Sequence, residues 1–133
     1  KVQETHQKVS VIGRSLGSGV AVYLASKRPL YKMALITPYD SIKSLGQNKF
    51  IIFPVFLLLK DKYDSLRRVK HIQTQTIALV AENDEVIPKK HSLRLINEFP
   101  PEQITAITIN NSGHNDISYK EEYYQHLKDF FNY

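Results

Sequence analysis

Four short apolar segments alternate with amphipathic segments along this chain. The apolar segments predict strands at Lys8–Ile12, Lys32–Thr37, Thr76–Ala81 and Ile104–Ile109. Each run is nearly continuous rather than alternating, which is typical of strands that helices bury on both faces. We therefore expect an α/β fold with a parallel four-stranded sheet, right-handed crossovers and flanking helices.

Three segments have the periodicity of helices that pack on such a sheet. The first follows the first strand and ends at Lys27-Arg28-Pro29, the second opens at Pro88 and stops at Pro100-Pro101, and the third is C-terminal. The apolar positions predicted to face the sheet are Val20, Ala21, Leu24 and Ala25 in the first helix, Leu93, Leu95, Ile96 and Phe99 in the second, and Tyr123, Leu127, Phe130 and Phe131 in the third.

Length and composition bound the class of protein. With 133 residues, 42% of them hydrophobic and 23% charged, the chain fits one globular domain. No cysteine is present, which excludes disulfides, thiolate metal sites and a cysteine nucleophile and leaves the compartment open. The longest apolar run, Phe50–Leu59, is interrupted by Pro54 and is too short to span a membrane. We find no metal-ligand cluster in the sequence and expect no cofactor.

A formal charge of +5 raises the question of nucleic-acid binding. The basic residues form small scattered groups, mixed with acids and not interleaved with aromatic side chains; the groups are Lys27-Arg28, Arg67-Arg68-Val69-Lys70 and Lys89-Lys90. This distribution indicates a solvated basic surface rather than a nucleic-acid site.

The first predicted strand runs directly into the motif Gly13-Arg14-Ser15-Leu16-Gly17. A serine between two glycines, placed where a strand turns into a helix, is the pattern of a nucleophile elbow. We interpret the glycines as positions where the turn is too tight for side chains, and Ser15 as a nucleophile for carbonyl carbon. The pattern alone is weak, because an ordinary strand-to-helix connection can contain the same residues.

Two later loops strengthen this interpretation. A serine nucleophile needs a base and an orienting acid, on loops at the carboxyl ends of later strands. The third strand leads into Glu82-Asn83-Asp84, followed by Val86-Ile87-Pro88, and the fourth leads into Ser112-Gly113-His114. With the segment Gly13–Gly19, these motifs resemble the alpha/beta-hydrolase superfamily, in particular its compact serine hydrolases of esterase, thioesterase and peptidase type.

The resemblance covers nearly the whole chain, as the C-terminal part of the family fold from the elbow strand onward. It implies that Ser15 is the nucleophile, that His114 is the general base and then acid, and that Asp84 holds the imidazole tautomer. It also implies a small-molecule or acylated substrate. The backbone N–H of Leu16 supplies one oxyanion donor in this family, and the second comes from a loop after an earlier strand, which we do not find here.

Other histidines and carboxylates compete for these roles. Asp40 is the main rival for the acid, because it follows the second predicted strand and some members of the superfamily take their carboxylate from that position. Asp116 fits a loop-stabilising residue better, and Glu82 and Glu85 lack the same placement. The remaining histidines have no strand directly before them, and we expect them at the surface: His6, His71, His91 and His126.

Residues 38–75 are longer than a usual crossover. We consider two interpretations of this stretch: a small cap over the active site, with an acyl-binding wall, or an ordinary helix on the sheet. Within it, Asp64 or Ser65 is a candidate cap for a short helix.

The fragment character has a structural consequence. If strands that precede the elbow are missing, the strand Lys8–Ile12 is an open apolar edge. We expect this edge to pair with a second copy of the chain or with a missing N-terminal portion.

The leading hypothesis is a serine hydrolase that acts through an acyl-enzyme. The alternative is a catalytically impaired hydrolase-like fragment or interaction module that lacks a complete oxyanion hole. A phosphate-binding or dinucleotide-binding domain fits less well, because the third glycine of a dinucleotide fingerprint and the lysine-serine pair of a nucleotide loop are absent.

Overall fold

A parallel sheet of four strands forms the centre of the molecule in the computed structural model, which describes residues 5–46 and 64–132. The strands follow one another in chain order across the sheet, and all three pairings are parallel. The prediction of a parallel four-stranded sheet is therefore confirmed. The strands are β1 (Val11–Arg14), β2 (Lys32–Ile36), β3 (Gln75–Ala81) and β4 (Ile104–Ile109).

Three strand predictions match within a residue, and the first is wrong in its bounds. Pairing with β2 begins at Val11, opposite Met33, and continues to Arg14, opposite Ile36. The apolar run stops earlier, at Ile12, but the backbone of the next two residues still has a partner strand. Ladder hydrogen bonds depend on the backbone and not on hydropathy, so the strand extends to the residue before Ser15.

Five helices and two 3₁₀ turns connect and cover the strands in the described residues. The predicted cap at Asp64 is present, since its carboxylate accepts a hydrogen bond from the Arg67 N–H at 3.4 Å. Pro88 occupies the N-cap position of its helix, as expected. The helices are α1 (Leu16–Lys27), α2 (Ile42–Gly46), α3 (Ser65–Arg68), α4 (Lys89–Glu98) and α5 (Glu121–Phe131), and the turns are Val69–His71 and Ile117–Tyr119.

The two faces of the sheet are buried against different helices. In β2, Met33 and Leu35 pack in one cluster with α1 and α4, and Ala34 and Ile36 pack in a second cluster with α5. Neighbouring residues of a strand point to opposite faces, so a strand covered on both sides is apolar throughout. This three-layer arrangement explains the unbroken apolar runs.

The packing stripes of two helices differ from the predicted ones. In α1 the buried positions are Ser18, Gly19, Ala21, Val22 and Ala25, and Val20 is 51% exposed. In α4 the buried positions are His91, Ser92, Leu95 and Ile96, and Leu93 is 38% exposed. Both stripes include polar residues, which a search for apolar spacing passes over. The C-terminal helix agrees with its prediction: Tyr123 is buried, and Leu127, Phe130 and Phe131 pack against the same cluster.

In the described ranges, no helix combines the length and the apolar character that a membrane crossing requires. The apolar run at 50–59 lies outside the described residues. The cap over residues 38–75 therefore stays a prediction.

Candidate active site

Backbone strain collects at the carboxyl edge of the sheet. Ser15, Thr37 and Asn111 follow β1, β2 and β4, and their φ angles are 53°, 46° and 50°. Positive φ is unfavourable for residues other than glycine and is costly for a β-branched threonine. Strain of this kind persists where the surrounding structure enforces it, and it is frequent at functional sites.

Ser15 occupies the turn between β1 and α1. Its φ of 53° and ψ of −123° are neither helical nor extended, so the chain reverses direction at this one residue. Its N–H donates to the Ile36 carbonyl at 2.8 Å, which ties the turn to β2. Its carbonyl accepts from the N–H of Ser18 at 2.9 Å and from the Ser18 hydroxyl at 2.7 Å. Both backbone groups of this strained residue are therefore hydrogen-bonded.

The two glycines of the motif differ in their surroundings. A Cβ on Gly13 would lie 2.6 Å from the Gly17 carbonyl oxygen and 2.7 Å from the Ala21 Cβ, which is closer than real side chains approach. At Gly17 a Cβ would meet no atom within 4 Å, and the φ of Gly17 is not positive. The sequence interpretation is correct for Gly13, where β1 and α1 touch, and wrong for Gly17.

Leu16 is the first residue of α1. Its N–H has no carbonyl one turn earlier in the helix to which it can donate, and it belongs to the positive end of the helix dipole. This donor follows directly after Ser15, so it is available to an oxyanion formed at the serine.

Asp84 and His114 are in direct contact, as their placement after β3 and β4 predicts. The His114 Nδ1 lies 2.9 Å from Asp84 Oδ2 and 3.1 Å from Oδ1. A carboxylate only accepts hydrogen bonds, so Nδ1 carries the proton and Nε2 is the basic nitrogen of the neutral ring. The His114 side chain is 10% exposed, whereas that of Asp84 is 1% exposed.

The Asp84 carboxylate is held in place by backbone groups. Its Oδ1 accepts from the N–H of Val86 at 2.9 Å and from the N–H of Ile87 at 2.7 Å. An aspartate that accepts from residues two and three positions further on forms a local turn. These local bonds hold the carboxylate in addition to its contact with His114.

Neighbouring acids stabilise the two loops. Glu82 accepts from the Asn111 N–H at 2.8 Å, and Asp116 accepts from the Gly113 N–H at 2.6 Å. The loop-stabilising role expected for Asp116 is present in the structure, and neither of these contacts involves the His114 ring.

Arg14 contributes a contact that the sequence does not indicate. Its guanidinium donates to the carbonyl oxygen of His114 at 2.9 Å and, at longer range, to Asn115 and Ser118. The residue before Ser15 is therefore bonded to the backbone of the loop that carries His114. No spacing rule signals this contact, because the two residues are 100 positions apart.

Asp40 does not belong to the same group of side chains. Its Oδ1 lies 3.0 Å from His91 Nδ1, its Oδ2 accepts from Arg94 at 2.8 Å, and its side chain is fully buried. His91 is 3% exposed, so the expectation of a surface histidine is wrong for this residue. The stripe of α4 places it against the end of β2. His6 and His71 are exposed as expected, and His126 is half-buried.

Tyr123 lies on the opposite face of the sheet from α4. Burial raises the pKa of its hydroxyl above the ordinary value of 10.0, and the nearby Arg14 cation partly opposes this effect. The hydroxyl is therefore protonated throughout the neutral range.

The described part of the chain contains no group of three or more histidine and carboxylate side chains arranged to hold a metal ion. The residues at the site are a serine, a histidine and carboxylates, which suit proton transfer and nucleophilic attack.

The parallel sheet, its helical layers and the serine turn after β1 define the alpha/beta-hydrolase class of proteins. The crystal structure of MGS-M2, an alpha/beta hydrolase enzyme from a Medee basin deep-sea metagenome library, matches with a TM-score of 0.73 and 16% sequence identity. The match covers 95% of this chain and 66% of that chain. At this identity the likeness concerns the fold.

The chain belongs to the family described as Serine hydrolase (FSH1), whose model matches residues 1–115. An uncharacterised Mycobacterium tuberculosis protein is 29% identical over 109 residues, which are 82% of this chain and 38% of the relative. The Caenorhabditis elegans alpha/beta hydrolase domain-containing protein aho-3 is 26% identical over 126 residues, which are 93% of this chain and 36% of the relative. The chain thus spans well under half the length of these relatives.

Proposed function

We propose that the protein cleaves an ester, thioester or amide bond through an acyl-enzyme, with Ser15 as nucleophile, His114 as base and Asp84 as the orienting acid. One observation carries the proposal: the His114–Asp84 contact leaves the Nε2 atom of His114 as the basic nitrogen at the edge of the sheet where Ser15 lies. Membership in a serine hydrolase family supports the same assignment.

In the proposed acylation, the Ser15 Oγ attacks the carbonyl carbon while His114 Nε2 takes the hydroxyl proton. The carbonyl π electrons move to oxygen, and Asp84 stabilises the imidazolium that forms. The tetrahedral intermediate then collapses, the bond to the leaving group breaks, and Nε2 returns the proton to that group. In deacylation, water repeats the sequence of steps and releases the acid and free Ser15.

The oxyanion needs two converging donors, and this chain provides the Leu16 N–H. We propose that a preceding part of the same polypeptide provides the second. Two facts support this: the chain spans 38% and 36% of the two relatives above, and β1 pairs only with β2 among the described strands. Ile12, on β1, is 55% exposed. Removal of one oxyanion donor typically lowers turnover about 100- to 1,000-fold.

Covalent labelling with a fluorophosphonate tests the proposal. The protein that contains this chain should form a serine adduct, and Ser15→Ala should abolish it, because the probe phosphorylates an activated hydroxyl. Ser26→Ala is the matched control, since this serine lies on α1 and donates only to the Tyr23 carbonyl among its described contacts. An adduct that persists in Ser15→Ala contradicts the assignment of the nucleophile.

The alternative function is an interaction module that retains the fold without the chemistry. Its supporting observation is the exposed edge of β1, which is suited to strand addition. Absence of labelling in both the 133-residue chain and a longer polypeptide favours the module. Sedimentation tests whether the β1 edge pairs with a second copy. The 133-residue chain should self-associate at micromolar concentration, and a stable monomer contradicts this pairing.

A further inference from the structure

Arg14 connects two loops that the sheet itself keeps apart. It is the last residue of β1, directly before Ser15, whereas His114 follows β4. In the order β1-β2-β3-β4 these strands lie at opposite edges. Neighbouring strands are about 4.8 Å apart, so the two strand ends are separated by roughly 14 Å. A long side chain is needed to join them.

The guanidinium of Arg14 suits the acceptors that it meets in the loop after β4. Its Nη2 donates to the His114 carbonyl at 2.9 Å and lies 3.4 Å from the Asn115 carbonyl, and Nη1 lies 3.3 Å from the Ser118 hydroxyl. A planar group with several donors can bind acceptors that point in different directions, which a lysine ammonium does less well.

Other hydrogen bonds hold the His114 loop to β3 and to itself. The Asp84 carboxylate holds the ring, the Asn83 N–H donates to the Ser112 carbonyl at 2.9 Å, and Asp116 closes the loop on itself. The first two restraints fix the loop relative to β3, and the third is internal. Among the described hydrogen bonds, only those of Arg14 join this loop directly to the end of β1.

We propose that Arg14 is a positioning residue that sets the distance between the His114 ring and the Ser15 hydroxyl. The proposal rests on the function proposed above and adds to it a structural basis for the alignment of nucleophile and base. Misplacement of reacting groups by about 1 Å can lower the rate on the order of 100-fold. Because Arg14 acts through His114 and does not touch the acyl group, its loss should lower kcat with little change in KM.

The test compares Arg14→Met, Arg14→Lys and the control Arg28→Met in the protein that contains this chain. Arg28 is exposed at the far end of α1, where its backbone caps the helix. The readouts are kcat and KM for a small neutral ester, the rate of fluorophosphonate labelling and the thermal unfolding midpoint. Arg14→Met should lower kcat and the labelling rate about 10- to 100-fold. Arg14→Lys should recover part of the loss, and Arg28→Met should match the wild type.

A proton NMR measurement gives a readout that does not depend on turnover. The hydrogen-bonded Nδ1 proton of His114 should give a low-field signal in the wild type, because Asp84 accepts this proton. In Arg14→Met this signal should broaden or disappear as the loop moves, while the unfolding midpoint stays within a few degrees, since Arg14 is exposed.

Four outcomes contradict the role of Arg14: Arg14→Met labels at the wild-type rate, the low-field signal is unchanged, Arg28→Met loses as much activity, or KM rises while kcat is unchanged. The last result identifies Arg14 as a binder of an anionic substrate instead. Failure of the wild type to label at all contradicts the proposed function, and this result is distinct from equal labelling of wild type and variant.

Discussion

Two histidine–aspartate pairs lie at the carboxyl edge of the same sheet, and their contact distances are nearly equal. His114 Nδ1 is 2.9 Å from Asp84 after β3, and His91 Nδ1 is 3.0 Å from Asp40 after β2. Measured by this distance alone, either pair fits the acid and base of a serine hydrolase.

The surroundings of the two pairs differ. Asp40 also binds the Arg94 guanidinium at 2.8 Å, and its carbonyl oxygen accepts from the N–H of Ser65 at 3.0 Å, so it joins α4 to the start of α3. His91 sits in a helix, and in the described part of the structure its buried Nε2 has no hydrogen-bond partner. His114 instead lies in a loop joined to the residue before Ser15. The two pairs therefore differ in the hydrogen-bond network around them and not in the geometry of the pair itself.

Alanine substitution of the two histidines gives the largest expected difference. His114→Ala should lower kcat about 10⁴-fold or more, because the proposed general base is lost. The same variant should lose only about 1–2 kcal/mol of stability, because the His114 side chain is 10% exposed but the Asp84 carboxylate keeps its bonds from the N–H groups of Val86 and Ile87. His91→Ala should lower the free energy of unfolding by about 2–4 kcal/mol, because a buried side chain and a partner of Asp40 are removed. Labelling kinetics measure the loss of activity in each variant, and urea unfolding measures the loss of stability. The assignment is wrong if a folded His91→Ala variant fails to label and His114→Ala labels at the wild-type rate.

Asparagine substitution of the two aspartates tests the same distinction through the acids. Asp84→Asn should lower kcat on the order of 10³- to 10⁴-fold, because an amide cannot hold the imidazole in the required tautomer and charge state. Asp40→Asn should retain most of the labelling and destabilise the fold by about 1–2 kcal/mol, since it removes the buried charge that Arg94 contacts, although the Arg94 side chain is itself 52% exposed. If Asp84→Asn and Asp40→Asn lose activity equally and both melt at the wild-type temperature, the predicted difference between the two pairs is wrong.

Alanine at the two motif glycines probes the turn that carries Ser15. Gly13→Ala should lower the free energy of unfolding by about 3 kcal/mol and slow labelling, because its Cβ meets the Gly17 carbonyl and Ala21. Gly17→Ala should change stability by no more than about 1 kcal/mol, since its Cβ has space and alanine favours helix. Thermal melting measures the difference in stability between the two variants. Equal melting temperatures would show that the turn needs both glycines.

The smallest expected effect is a change in stability at alkaline pH. Because burial raises the pKa of Tyr123 in the folded protein, the folded state binds this proton more tightly than the unfolded chain does. The resulting contribution to stability is constant below pH 10 and is lost as pH rises through the raised pKa. Tyr123→Phe should weaken this alkaline fall in melting temperature. Tyr123 packs in one cluster with Ile117 of the turn after His114, whereas α4, which carries His91, packs on the other face of the sheet. An identical pH profile for wild type and Tyr123→Phe contradicts the assignment.

Much of the fold and of the first pair follows from local signals. Strand β4 agrees with its predicted bounds, and Asp84 and His114 meet because loops after parallel strands share one edge of the sheet. Polar residues such as His91 and Ser92 were not predicted to be buried, because their burial depends on packing between helix and sheet. His91 is buried and Leu93 is exposed because the stripe of α4 faces the end of β2, and hydropathy alone predicts the reverse.

The sequence by itself determined the order of strands and helices, the buried character of the sheet, the turn at Ser15 and the acid–histidine pair after β3 and β4. These features depend on periodicity, on turn residues and on position along the chain, all of which are local. Only the tertiary structure decided which histidine is buried, which glycine is needed and that Arg14 reaches His114. The physical reason is that each of these depends on side-chain or backbone contacts between segments far apart in sequence, which acquire their distances only when the chain is packed.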